Sequence, residues 1–277
     1  MSLGESAWYR SGRVAHFLRR NSGACSPMYM SVIAVESGAE TYPELAGARV
    51  VVTGLSIILG VDLARGFADR KARLVIQTAE RSPEMVELTA LLASSASEIA
   101  LIDVPFSATE TPTHFAQHAA KNLGGIDTMI NLVSVTQTEL NAVDTLDEIE
   151  DLIVAKLGPA REVTEVAANR MALTWSEGTI LNAVVAPAPQ TARDAAILGM
   201  LRQALAAMTA DLARRWSGDV VRVNAVGPKA TTLDTMSGAC LTSEPDIAAL
   251  ALYLASRKGR TLTGHVFDAE GVARRGC

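Results

Sequence analysis

Apolar positions along this chain alternate between two periods. Val50, Val51 and Val52 form a short β-branched run without a polar break, which predicts a strand buried on both faces. Gly54 interrupts it, and apolar residues return as Val61, Leu63, Ala64 and Phe67 with Asp62, Arg65, Asp69 and Arg70 between them, which is helical spacing. The same exchange of period continues down the chain. Further strands are predicted at 73–77, 98–104, 127–135, 178–187, 220–226 and 265–269. Helices are predicted at 83–96, 113–122, 144–173, 191–216 and 245–256. Ser82 is placed to cap the first of these, with Pro83 in its opening turn, and Gly124-Gly125 ends the second. Gly158-Pro159 would bend the third. Strand and helix alternating this regularly predict an α/β fold: a single doubly wound parallel sheet with helices on both faces. No internal repeat or linker divides it, so 47–277 reads as one domain.

Residues 1–46 have a different composition, with Arg10, Arg13, Arg19 and Arg20 against Glu5 and scattered Ser and Gly. Three readings stand: a flexible arm, a start that truly lies at Met28 or Met30, and a transit-type leader. The whole chain of 277 residues is 49% hydrophobic and 20% charged, which is globular. Its net charge of −5 is the opposite of a basic nucleic-acid footprint. No uninterrupted apolar run approaches the ~20 residues that span a bilayer, so no membrane partner is expected. Cys25, Cys240 and Cys277 are few, odd in number and far apart, which points to a reduced, cytoplasmic protein. His114 and His118 share a helix face, but no third ligand accompanies them, so no metal is expected.

The turn from the first strand into the first helix is where a doubly wound fold receives a dinucleotide pyrophosphate. Thr53-Gly54 and Gly60 stand at the outer positions of a Thr-Gly-x-x-x-Gly-x-Gly pattern, and this stretch resembles that of the short-chain dehydrogenase/reductase family. Ile58 takes the middle glycine's place, putting a β-branched side chain where phosphate oxygens would approach backbone N–H groups. The resemblance extends over roughly 48–271. Asp103-Val104 is similar to the family's Asp-Val beside the adenine. Asn131-Leu132-Val133-Ser134 stands for Asn-Asn-Ala-Gly, and Arg222-Val223-Asn224 through Pro228 resembles the Arg-Val-Asn-x-x-x-Pro run. The resemblance implies a Rossmann-type domain and NAD or NADP, held by Gly54, Ser56, Ile58, Gly60, Asp103, Val104, Asn131 and Pro228, with binding weakened or lost at Ile58. Glu80 and Arg81 come slightly late for the residue that reads the ribose, which leaves NAD against NADP open.

Members of that family transfer hydride with a Tyr acid/base, a Lys four residues later, a Ser on the substrate oxygen and an Asn in a proton relay. Here the corresponding positions hold Thr191, Ala195, Val185 (at Val184-Val185) and Ala155, so no catalytic residue is assigned. The four tyrosines, Tyr9, Tyr29, Tyr42 and Tyr253, have no Lys four residues on, and Tyr253 reads as core packing. Ser134 and Lys229 replace two further glycines of the family beside the nicotinamide half. Of the polar residues nearby, Thr191 is a poor proton donor and Asp194 reads as a helix-start charge pair with Arg193. General acid–base catalysis is worth ~10²–10⁴-fold. Losing acid, pKa tuner and orienting hydroxyl together predicts a protein without the usual hydride transfer: a scaffold, nucleotide sensor or partner subunit. The alternative is an NAD(P)-dependent oxidoreductase with relocated proton-transfer groups. The resemblance also implies a homodimer or homotetramer through helices 144–173 and 191–216, or pairing with an active relative. Leu152, Ile153, Leu157, Ile197, Leu198, Leu201, Leu205 and Met208 serve there as interface or core.

Overall fold

Among the described residues, seven strands, all parallel, lie in one sheet in the order β3-β2-β1-β4-β5-β6-β7. The computed structural model describes residues 42–107, 110–219, 221–229 and 240–272. Residues 1–41, with Cys25, and the C-terminal Cys277 lie outside these, as does Val220. The strands are β1 (Arg49–Thr53), β2 (Arg73–Gln77), β3 (Glu98–Ile102), β4 (Thr128–Ser134), β5 (Thr179–Val185), β6 (Arg222–Pro228) and β7 (Val266–Ala269). The helices are α1 (Val61–Asp69), α2 (Pro83–Ser95), α3 (Pro112–Leu123), α4 (Gln137–Ala142), α5 (Leu146–Leu173), α6 (Ala192–Arg215) and α7 (Glu244–Ala255). The strand order reverses between β1 and β4, which is the topological switch point of a doubly wound sheet.

Both faces of β1 are buried, as its unbroken valine run requires. Val50 and Val52 pack with Leu63, Phe67 and Leu252 from α1 and α7. Val51 points the other way, among Phe115, Val163 and Met171 from α3 and α5. A third cluster joins α4, α5 and α6 through Leu140, Leu157, Ile197 and Leu201. So α1, α2 and α7 cover one face and α3, α5 and α6 the other. Leu45, in a short 3-10 turn over Pro43–Leu45, is buried against the first cluster.

Most boundaries fall within a few residues of the expected ones. β3 stops at Ile102, two residues early, and β6 is shifted to run through Pro228. α5 continues through Pro159 as one helix. The helix at Gln137–Ala142 is unexpected: it is short and carries one buried apolar residue, Leu140, so periodicity does not reveal it. Its start was legible as a capping box, in which the Thr136 hydroxyl accepts from Glu139 N–H and Glu139 accepts from Thr136 N–H. α6 has a mean hydropathy of 1.2 over its most apolar 18 residues, enough by length and composition to cross a membrane. Here Ile197, Leu198, Leu201 and Leu205 lie buried against the sheet, as on a core helix.

Candidate functional site

A cavity of about 470 Å³ opens at the carboxyl ends of β1 and β4, lined by Thr53, Gly54, Ser56, Glu80, Phe106 and Lys156 among others. That is a usual size for a small-molecule site, and this is where open α/β sheets bind ligands. The turn beside it is built by glycine. Gly54 has φ +72°, and a Cβ there would stand 2.1 Å from the Leu132 carbonyl oxygen on β4. Gly60 has φ +94°, and its Cβ would meet Leu132 Cδ1 at 2.3 Å. The two glycines therefore serve the bend and the close packing of strand on strand.

Between them the chain closes on itself. Ser56 N–H donates to Leu59 O at 2.9 Å, and Leu59 N–H to Ser56 O at 3.3 Å. Ile57 N–H donates to the Glu80 carboxylate at 3.0 Å. At the start of α1, Asp62 N–H donates to Glu244 Oε1 at 2.8 Å. Ile58 holds the middle position with its side chain 62% exposed. Gly54 N–H donates to Gln77 Oε1, and Gln77 Nε2 donates to Val104 O, tying three strand ends together. A pyrophosphate would have to displace two carboxylates from the N–H groups it needs and pass the Ile58 side chain. As it stands, the turn leaves neither of these two N–H groups open.

The remaining residues expected around a cofactor are dispersed. Gly54, Ser56 and Asn131 line the cavity. Asn131 is buried, and its polar atoms are spent inside the protein. Its Oδ1 accepts from Thr53 Oγ1, and its Nδ2 donates to Thr164 Oγ1 and Asn182 Oδ1. Strand register builds this network, since Thr53, Asn131 and Asn182 are direct partners across β1, β4 and β5. Asp103 follows β3 and pairs with Arg81 at 3.5 Å. Pro228 is buried at the end of β6, where its carbonyl accepts from Arg202 Nη1. The cavity wall includes neither Ile58 nor Gly60, nor Asp103, Val104 or Pro228.

Of the four positions that the resemblance assigns to the acid/base set, Ala155 lines the cavity. Val185 is buried at 2% exposure, and Ala195 lies in the first turn of α6. Thr191 caps α6, its hydroxyl accepting from Asp194 N–H. Asp194 does not pair with Arg193, whose guanidinium bonds Asp144 at 2.8 Å. The Asp194 carboxylate instead turns back to accept from Gln190 N–H, Thr191 N–H and Gln137 Nε2. Burial alone would raise its pKa, but these donors outweigh burial and hold it below the ordinary aspartate value. The expected charge pair is therefore a capping box, because a buried carboxylate at N3 gains more from backbone donors than from an exposed arginine.

Lys156 escaped the sequence reading because it sits one residue beyond the relay position. Its ammonium donates to Ser134 O and to Glu139 Oε1, both at 2.6 Å, at the nicotinamide end expected of such a cleft. Burial pushes the Glu139 carboxyl up, while Lys156 and the Thr136 N–H bring it down, with a net lowering. Glu80 and Lys156 are the charged residues of the lining, which contains no Tyr, His, Cys or Asp among the described residues. Tyr253 packs against the core cluster. His114 bonds Glu110 and stacks on His118, and no group of three candidate metal ligands gathers among the described residues.

A family profile described as short chain dehydrogenase matches residues 48–242. An uncharacterised oxidoreductase of Mycobacterium tuberculosis is 25% identical over 242 residues, 80% of this chain and 90% of that one. Among solved structures, a short-chain type dehydrogenase/reductase from Mycobacterium marinum aligns with a TM-score of 0.65 at 17% identity, covering 84% of this chain and 97% of that one. A short-chain dehydrogenase/reductase from Serratia marcescens aligns with a TM-score of 0.62 at 17% identity, over 82% of this chain and 98% of that one. At these identities the two structures bear on the fold alone.

Proposed function

Since the chain belongs to the short-chain dehydrogenase family, we propose that it keeps the family's framework without the family's hydride transfer, and works as a scaffold, a sensor or a partner subunit. One observation carries this reading: among the described residues, no side chain able to exchange a proton freely faces the cavity. The positions that would supply one hold Ala155, Val185, Thr191 and Ala195. The two charged residues of the wall, Glu80 and Lys156, are already engaged in bonds within the protein. Carbonyl reduction needs a proton delivered as hydride arrives, by a group within about 3 Å and with a pKa near the working pH.

The test is NADH and NADPH oxidation by the purified full chain against a panel of aldehydes and ketones at neutral pH. No rate above buffer is expected. The alternative, an NAD(P)-dependent oxidoreductase with relocated groups, draws support from Lys156, the one cation in the wall among the described residues. Turnover that disappears in Lys156→Met would establish that alternative and overturn the first reading.

Self-pairing belongs to the same proposal. Leu157, Ile197, Leu198, Leu201 and Leu205 are buried within the chain and serve as core. Leu146 and Val154 of α5 and Met200 of α6 remain outward, at 61%, 68% and 36% exposure. They give these two helices an apolar surface for a second copy or for an active relative.

A further inference from the structure

We propose that this protein supplies its own anions to the phosphate site of its fold: the carboxylates of Glu80 and Glu244 take the place of a dinucleotide pyrophosphate, and the adjoining cavity receives a phosphate-free ligand. A helix N-terminus and the turn before it attract negative charge because their N–H groups point outward without partners. In this chain that attraction is met from within. Glu244 opens α7, which packs against α1, and is 8% exposed. A carboxylate so far out of water needs strong partners, and the Asp62 N–H of α1 is one, at 2.8 Å. Glu80 arrives from the other side, beyond β2. One of its oxygens accepts from Ile57 N–H at 3.0 Å and the other from Ser82 Oγ at 3.2 Å.

The two carboxylates hold different parts of one structure, the turn and the helix it feeds. Between them the Ser56–Leu59 pair keeps two more N–H groups turned inward. Asp62 adds a third acidic side chain in the first turn of α1. A pyrophosphate would therefore approach acidic groups where the fold ordinarily offers donors. Like charges brought together in this way cost affinity. Glu80 also forms part of the cavity wall, beside Leu55, Ala79, Pro105 and Phe106. A largely apolar wall with the Glu80 carboxylate by the turn, and a Lys156 ammonium already bonded to Ser134 O and Glu139, suits a neutral ligand, such as a nucleoside that offers hydroxyls to Glu80.

Ligand class is separate from proton transfer. A chain that bound NADH without turning it over would overturn the first and leave the second standing. The experiment is calorimetric titration of the full chain with ADP, NADH and adenosine, in the wild type, Glu80→Gln, Glu244→Gln and the double variant. Melting curves serve as a check of folding. The wild type is expected to show no ADP or NADH binding at millimolar concentration. Removing both charges should strengthen ADP binding at least about tenfold and weaken adenosine, which loses the Glu80 carboxylate as the acceptor for its hydroxyls. Glu80→Gln lies at the cavity rim and reads the charge effect even if the buried Glu244→Gln weakens folding. Micromolar NADH binding by the wild type would sink the proposal. So would an equal gain for adenosine and ADP, or no gain in folded Glu80→Gln and the double variant. Ile58→Gly is the steric control: if it alone restores ADP binding in full, the side chain and not the carboxylates closes the site.

Discussion

Gly54 shows how much one residue can decide. Its φ of +72° is costly for any residue with a side chain, and the Leu132 carbonyl fills the space a Cβ would need. Gly54→Ala is expected to lower the thermal midpoint by about 10 °C, since backbone strain and displacement together cost about 3 kcal/mol. A shift of only a degree or two would show that β4 yields at little cost. Asp194 makes a different demand. Its folded pKa lies below the ordinary value, so the carboxylate stabilises the fold above the unfolded aspartate pKa of about 3.9. That contribution disappears as pH falls through the lower, folded value. Asp194→Asn should therefore melt several degrees below wild type at neutral pH, the loss of about 1–2 kcal/mol expected of a helix cap. The gap should narrow as pH drops below about 4. A gap independent of pH would mean that the charge has no role. The glycine was readable from the motif. The full set of partners that turns Asp194 was not, because Gln137 donates to it from α4, 57 residues away.

At the scale of elements, α4 is the instructive case. It has six residues, too few for a period to declare itself, and its position depends on contacts distant in sequence. Glu139 caps it at Thr136 and also receives the Lys156 ammonium from α5. Thr136→Val removes the hydroxyl that accepts from Glu139 N–H, at a cost of about 1 kcal/mol. Amide exchange over 137–142 should accelerate about fivefold while β4 and α5 keep their protection. Unchanged exchange there would show that Lys156, and not the cap, holds α4. The longer elements were legible because their patterns are local: valine runs for central strands, capping residues for α2 and α6, apolar spacing for α1. The row Thr53–Asn131–Asn182 was not, since it arises only when β1, β4 and β5 are placed in register.

For the whole molecule, the open question is what α5 and α6 face. Val154 at 68% exposure and Met200 at 36% are outward apolar residues on helices whose other sides are core. If the chain pairs through these helices, Val154→Glu with Met200→Glu should convert a dimer or tetramer into monomer in analytical ultracentrifugation, with the circular dichroism spectrum unchanged. Wild type that sediments as a monomer at micromolar concentration would rule out self-pairing and direct attention to a different chain as partner. An acidic protein of net charge −5 with carboxylates bonded at the turn after β1 is also expected to differ from a nucleotide-binding relative in its response to salt.

By itself, the sequence determined the class of fold, the order of strands and helices along the chain, and the two glycines of the first turn, and it showed that none of the four tyrosines has a lysine four residues on. These depend on local periodicity, backbone conformation and residue identity, all of which are written along the chain. Only the tertiary structure decided where the carboxylates go. Glu80 lies 23 residues from Ile57, and Glu244 lies 182 from Asp62. Nothing local links either pair. They meet because a parallel sheet brings β1 beside β2 and packs α7 against α1. A buried charge must then find a donor, and the unpartnered N–H groups at the turn and at the head of α1 are the donors this fold provides.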